Sequence, residues 1–362
     1  MTSHDVVARA RRLLGTRRVG HAGTLDPLAT GVLTLLSEDA TKLSPYLTGS
    51  DKTYLAWVAL GASTPTLDGE GPVGTEGDAS FLDEGAVRRA AESFLQVRAQ
   101  RPPAFSAVKR GGVRSYRAAR RGEPEEPPER PVAYRDIHLL AFGPNREALP
   151  QTFAPDDAGA WGPAAEGRTF AQPPPLGAYP VALFRMRVAA GTYVRSFARD
   201  LGLRLGVPAH LSALVRTAAG AIDLGRAAAL ETLDAASGVD PLEALALPVV
   251  RLDERASAFI RQGKRVPLHL SGRSALVDPG GKLAAIAEPA ATDAERSGEE
   301  RVAGASATGE ATTGERDVGV PITDDATTGE ATTGRPAPGE RAPSGGPPAI
   351  RLLRVWHEGS SP

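Results

Sequence analysis

The chain has 362 residues, 41% of them hydrophobic and only 5% aromatic, with a formal net charge of −1. That is enough apolar material for two domains, and the absence of Cys excludes disulfides, thiolate nucleophiles and Cys-based zinc sites. The six His show no paired spacing and offer little to zinc. No apolar run reaches the roughly 18 residues that span a bilayer. His4, Asp5, Arg9, Arg11 and Arg12 leave no room for a secretory signal at the start, so the expectation is a soluble, cytoplasmic protein. Lys and Arg outnumber Asp and Glu over 1–120 and 181–265, and the reverse holds over 121–180 and 266–362. A basic core with acidic appendages suits a polyanion partner; on charge alone an ordinary mixed surface fits equally well.

In chain order, residues 3–14 read as an amphipathic helix. Thr2 and Asp5 make a capping box, Val6, Val7, Ala10, Leu13 and Leu14 form the apolar face, and Gly15 stops it. Val32–Leu36 reads as a short buried strand and 38–47 as a helix. Thr53–Leu60 is almost wholly apolar, a strand buried on both faces or packed under a helix. A Gly-, Thr-, Pro- and Asp-rich loop fills 61–77, and helical spacing runs from Leu82 to Val97. Ser115–Arg121 reads as a short basic helix and Val132–Phe142 as a strand. Residues 143–178 have no period and read as an inserted flexible loop. Val181–Val188 is a strand, Val194–Leu205 a helix and Leu211–Ile222 extended. Strands and helices alternate without regular βαβ spacing, so the class is mixed α+β.

A second domain begins near residue 248, giving domains 1–247 and 248–362. It holds a helix over 251–263, strands at Ser274–Val277 and Lys282–Ala287, and a last strand at Ile350–Trp356. Between them 289–347 is low in complexity, with the heptad Thr-Gly-Glu-Ala-Thr-Thr-Gly at 308–314 and again at 328–334. Such a composition buries no core and is expected to be disordered.

The segment Gly20-His21-Ala22-Gly23-Thr24-Leu25-Asp26-Pro27-Leu28-Ala29-Thr30-Gly31-Val32-Leu33 carries the chemistry. Its glycines permit tight backbone, and Pro27 keeps Asp26 out of the α region. It reads as a loop that holds one carboxylate in a fixed pose. These fourteen residues closely resemble the active-site loop of bacterial tRNA pseudouridine-55 synthases. Further segments resemble the same family in the same order: Met1-Thr2-Ser3-His4-Asp5, Ser50-Asp51-Lys52-Thr53-Tyr54, Arg101-Pro102-Pro103-Ala104-Phe105-Ser106-Ala107-Val108-Lys109 with Phe105 for the usual Tyr, Gly191-Thr192-Tyr193-Val194-Arg195-Ser196, and His210-Leu211-Ser212-Ala213-Leu214-Val215-Arg216-Thr217. The resemblance covers about 1–235, apart from the insertion.

The resemblance implies a pseudouridine-synthase fold, a mixed and mainly antiparallel sheet flanked by helices, followed by a small PUA-like β domain that binds RNA. It implies isomerisation of one uridine in the T-loop of tRNA, at position 55, with no cofactor and no metal, by a monomer. Asp26 is then the catalytic acid, as nucleophile or as the carboxylate that stabilises the separated ribose. Arg195 supplies its counter-charge, and Tyr54, also catalytic, stacks on the flipped base and serves in proton transfer at C5. Tyr193 and Leu214 line the pocket, and His21 props the space the nucleotide leaves. Lys109, Arg114, Arg117 and Arg216 contact phosphates. The family's leading strand with Lys-Pro-x-Gly is not seen before Met1, which gives the expectation that upstream codons encode it. It also leaves a rival reading, a tRNA-binding folding chaperone with impaired turnover.

Overall fold

The structure, a computed structural model, describes residues 1–106, 109–110, 113–114, 127–234, 238–289 and 350–355. Its chain divides into two units, Met1–Leu247 and Pro248–Pro362.

The first unit is organised by its most apolar segment. Strand β4 (Lys52–Leu60) lies in the middle of a six-stranded sheet. The sheet runs β10 (Ile222–Asp223), β9 (Ala209–Ala219), β4, β8 (Val181–Val188) and β5 (Tyr134–Gly143), all antiparallel; the short β2 (Ala29–Gly31) adds parallel to β9. On one face Ala56, Val58, Leu60, Phe184 and Met186 pack under Val87, Ala91 and Phe94, and under Phe197, Ala198 and Leu201. The first group of aromatics and aliphatics comes from helix α2 (Glu84–Glu92) and the turn after it, the second from helix α3 (Val194–Leu205). Asp83 caps α2 through the amide of Ala86, and Gly206 in the left-handed region closes α3. Each fully buried Phe or Leu contributes roughly 1.5–3 kcal/mol.

The opposite face is covered by the segment expected to be a structureless insertion. Residues 143–178 instead contain an antiparallel hairpin, β6 (Phe153–Pro155) with β7 (Trp161–Pro163). Phe153 is fully buried and meets Trp57 edge-on at 5.5 Å, with Phe170 stacked behind at 5.7 Å. Trp57 points away from the helices and needs a cover; the hairpin supplies it. This is why β4 is apolar on both faces.

Other elements differ at their edges. Helix α1 (Ser3–Leu13) has both hydrogen bonds of the Thr2–Asp5 capping box, but Leu13 is 42% exposed and the buried face is Ser3, Val7 and Ala10. The 38–47 helix is a 3₁₀ segment, Glu38–Leu43, passing into the helical turn Ser44–Thr48. The strand expected at 32–36 is β3 (Leu35–Ser37), paired with β1 (Val19–His21). The loop 20–33 is therefore framed by short strands β1 and β2, which the glycine-rich spelling concealed. The expected Ser115–Arg121 helix and residues 290–347 lie outside the described residues.

In the second unit, β11 (Val249–Arg251) pairs parallel with β12 (Ser274–Val277), followed antiparallel by β13 (Leu283–Pro289) and β14 (Ile350–Val355). Helix α4 (Glu254–Arg261) starts at Asp253, which accepts from the Ala256 amide, so Arg251 is strand and not helix. Ile260 packs with Leu252, Leu276 and Ala285. No helix among the described residues is long and apolar enough to cross a membrane.

Candidate active site

Asp26 sits in the turn between β1 and β2, whose backbone closes by Ala29 N–H donating to the Asp26 carbonyl at 2.9 Å. Two neighbours fix this turn. From α1, the Ser3 hydroxyl accepts from Leu25 N–H at 3.0 Å. From β9, the Arg216 guanidinium donates to the carbonyls of Val32 at 2.7 Å, Gly23 at 3.0 Å and Thr24 at 3.3 Å. Gly31 has φ +97°, and a Cβ there would stand 2.2 Å from the Arg216 carbonyl oxygen. Only glycine lets β2 approach β9 this closely. Leu28 anchors the turn in the core.

The Asp26 carboxylate faces Arg195 at the start of α3. Arg195 Nη2 donates to Oδ1 at 2.7 Å and Nε to Oδ2 at 3.0 Å, a bidentate pair. The guanidinium is 7% exposed and the carboxylate 30%, so Asp26 keeps an open side. A cation in the first turn of a helix opposes the helix dipole, and a second carboxylate helps to hold it. Arg195 Nη1 lies 3.5 Å from Asp68 Oδ2 and donates to the Thr66 carbonyl at 3.2 Å. Asp68 is buried and accepts from the Thr66 hydroxyl at 2.7 Å and the Glu70 amide at 3.1 Å. Burial pushes its carboxyl above the ordinary range, against the pull of Thr66 and Arg195. Glu70 is shifted the same way, by burial and by Asp68 and Asp26.

Tyr54 lies on β4 opposite Arg216 in register. Burial raises its phenol pKa, with Asp26 adding to the shift and Arg216 opposing it. Tyr193 caps α3; its phenol is raised by burial and then by Asp26. Both rings are therefore neutral near pH 7 and stand within the field of the Asp26 carboxylate. Buried Gln100 holds Tyr193 in place: its Oε1 accepts from the Tyr193 amide at 2.9 Å, and its Nε2 donates to the Tyr193 carbonyl at 3.1 Å and the Tyr134 hydroxyl at 2.8 Å.

His21 on β1 meets His4 edge-on at 5.9 Å, and its Nδ1 is buried without a hydrogen bond. Burial, then the charges of His4 and Arg216, lower its pKa, so the ring is neutral. Leu214 is buried in β9 between Ala29 and Ala56. Lys109 and Arg114 face each other in a two-residue ladder; their side chains, and Arg117, lie outside the described residues.

One expectation is corrected. Arg216, read as a phosphate contact, is 1% exposed and donates to three backbone carbonyls. It staples the Asp26 loop and has no free face for a phosphate. Three groups that position the site were missed in the sequence: Asp68, Gln100 and Lys52. Lys52 is buried, with Nζ donating to the carbonyls of Thr48 at 2.6 Å and Ser50 at 2.7 Å. For Asp68 the available signal was the Thr64-x-Thr66-x-Asp68-Gly69 spelling, a self-bonded turn inside a long loop. Among the described residues no cluster of His, Asp and Glu could hold a metal ion.

A carboxylate clamped by a bidentate arginine and open on one side, with two neutral tyrosines near enough to feel its charge, suits chemistry on a planar base attached to a sugar. Comparisons with known proteins agree. Residues 11–152 match the family described as TruB family pseudouridylate synthase (N terminal domain). The tRNA pseudouridine synthase B of Deinococcus radiodurans is 49% identical over 288 residues, spanning 80% of this chain and 92% of the relative. That of Thermus thermophilus is 50% identical over 288 residues, spanning 80% and 91%. A chain of an archaeal box H/ACA sRNP Nop10–Cbf5 complex shares the fold at a TM-score of 0.51, with 22% identity over 82% of this chain and 77% of that one. The chain belongs to the TruB family of pseudouridylate synthases. It is an isomerase that makes pseudouridine.

Proposed function

We propose that this enzyme converts the uridine at position 55, in the T-loop of tRNA, to pseudouridine, and that Asp26 carries the reaction. The observation that carries the reading is the bidentate Asp26–Arg195 pair, with the Asp26 carboxylate partly open. The named relatives act on tRNA. The T-arm and the position within it come from the resemblance of the loop around Asp26.

The target base must first leave its stack, at a cost of roughly a few kcal/mol. Stacking on Tyr54 returns roughly 1–3 kcal/mol. The N1–C1′ bond then breaks, the base turns, and C5 bonds to C1′. The proton on C5 departs and N1 gains one, so the product is an isomer. Asp26 serves as nucleophile at the ribose or as the anion that stabilises the separated sugar; Arg195 holds it aimed through its two hydrogen bonds. In this reading Tyr54 takes part in the C5 proton transfer, Tyr193 and Leu214 line the pocket, and His21 fills the gap in the RNA. Lys109 is assigned to phosphate, and the small β unit beginning at Pro248 to a further stretch of the tRNA. On this reading the enzyme acts as a monomer in the cytoplasm.

Tritium at uridine C5 of an unmodified tRNA tests this. Wild-type protein is expected to release tritium from position 55, and Asp26→Ala to release none while still binding tRNA. Binding without release by the wild-type protein overturns the reading in favour of an RNA-folding chaperone. Release that survives in Asp26→Ala removes Asp26 from the chemistry.

A further inference from the structure

A buried arginine outside the site is tied to it through the backbone. Arg146, 8% exposed, stands at the neck of the segment that carries the β6–β7 hairpin. Its Nη2 donates to the Pro173 carbonyl at 2.6 Å, which closes the neck, and its Nη1 donates to the Ser212 hydroxyl at 3.2 Å. Both acceptors are neutral. A guanidinium buried on neutral partners is weak as a source of stability, so its value lies in what it positions.

Ser212 is the bulged residue of β9, where the register with β4 shifts between Leu211 and Ala213. Such bulges re-aim the strand locally. The turn that presents Asp68 hangs on this bulge. Leu211 N–H donates to the Leu67 carbonyl at 3.0 Å, and Gly69 N–H donates to the Leu211 carbonyl at 2.9 Å. A Cβ on Gly69 would stand 3.5 Å from the Ser212 carbonyl oxygen, so turn and bulge are packed together. Asp68 in turn lies 3.5 Å from the Arg195 guanidinium that clamps Asp26.

We propose that Arg146 is a positioning residue for the isomerisation: it pins the β9 bulge at Ser212, the bulge sets the Asp68 turn, and Asp68 sets Arg195 against Asp26. The 143–178 segment, beyond covering Trp57, is then part of the scaffold of the active site. This inference rests on the roles given to Asp26 and Arg195 above. Wild-type turnover tests those roles, and the coupling described next tests the inference.

The experiment is a double-mutant cycle on the full chain, read as kcat and KM for tritium release from tRNA. Arg146→Lys keeps the charge but loses the forked reach to both Pro173 and Ser212. It is expected to lower kcat about 10-fold with KM nearly unchanged, since a small misplacement of a reacting group is costly to rate. Ser212→Ala is expected to lower kcat about 3-fold. Arg146→Lys combined with Asp68→Asn is expected to fall no lower than Asp68→Asn alone, because both act along one path. Full multiplication of the two effects overturns the proposal. So does an unchanged kcat in Arg146→Lys, whatever its melting temperature. Should Arg146→Lys fail to fold, Ser212→Ala with and without Asp68→Asn decides by the same two outcomes. Wild-type protein without turnover sinks the functional reading, whereas turnover without coupling sinks this inference alone.

Discussion

Two buried arginines hold the Asp26 loop, from regions that bond in opposite ways. Arg195, at the start of α3, faces carboxylates: Asp26 in a bidentate pair and Asp68 behind it. Arg216, on β9, meets no carboxylate among the described residues: it donates to the carbonyls of Gly23, Thr24 and Val32 and also acts on the Tyr54 phenol. The first arginine is matched to a charge, the one the proposed chemistry uses. The second is matched to a backbone shape. On the proposed reading the α3 side of the loop is a catalytic device, and the β9 side is a frame.

The comparison breaks most visibly on the frame side. Arg216→Ala leaves three loop carbonyls without their donor and opens a void the size of the side chain. Losing buried partners of this kind costs about 3–5 kcal/mol. The expected result is a large fall in the urea midpoint, with activity lost in step with folding. A variant that stays as stable as the wild type but binds tRNA poorly would return Arg216 to the phosphate role and erase the contrast.

Arg195→Lys probes the other side. The charge remains, but one ammonium cannot span Oδ1, Oδ2 and Asp68 at once. The fall expected is about 100-fold in kcat, or about 2.7 kcal/mol, with KM and the melting temperature little changed. An equal fall in stability and rate would make the two arginines alike.

The same contrast explains what could be read in the sequence. Strand β8 and helix α3 take the bounds that their spelling suggests, because local signals at Gly191 and Gly206 end them. Asp26, Tyr54, Tyr193 and Arg195 stand out in the sequence because the motifs around them are specific; the structure pairs Asp26 with Arg195 and sets both tyrosines within reach of the Asp26 charge. Arg216 was misread for a physical reason: a long cationic side chain is spelled the same whether it reaches out to phosphate or back into its own chain. Which way it turns depends on Gly31, far off in sequence, coming within van der Waals distance of its backbone. Asp68 was passed over because its meaning depends on Arg195 from a distant helix; by itself it is a turn residue. The hairpin at 153–163 was hidden because its few aromatics have no period. They are placed to cover Trp57, which is itself identified only once β4 is known to have two buried faces.

The subtlest difference between the two sides lies in pH. Lys52 belongs to the Arg216 side: a Cβ on Gly23 would stand 3.6 Å from Lys52 Cε and 3.8 Å from Arg216 Nη1. Like Arg216 it donates to carbonyls and has no carboxylate among its hydrogen-bond acceptors. Burial, with Arg216 adding repulsion and Asp51 opposing both, lowers its pKa from 10.5 to about 8. Below pH 8 the folded and unfolded chains both carry the proton, and the folded state bears the whole penalty of the buried charge. Between about 8 and 10.5 the unfolded chain binds more protons than the folded one, so stability rises with pH. From pH 7 to 9 the gain expected is roughly 1 kcal/mol. Measurement is confined to pH 7–9, because the lowered His21 and His210 titrate below that range, and tyrosines, with an ordinary value of 10.0 that burial raises at Tyr54, Tyr134 and Tyr193, titrate above it. Urea unfolding at pH 7, 8 and 9 should show the rise in the wild type and lose it in Lys52→Met. A flat wild-type profile, or the same rise in the variant, would mean that the frame side carries its cations without penalty, and that the two sides differ in geometry but not in electrostatics.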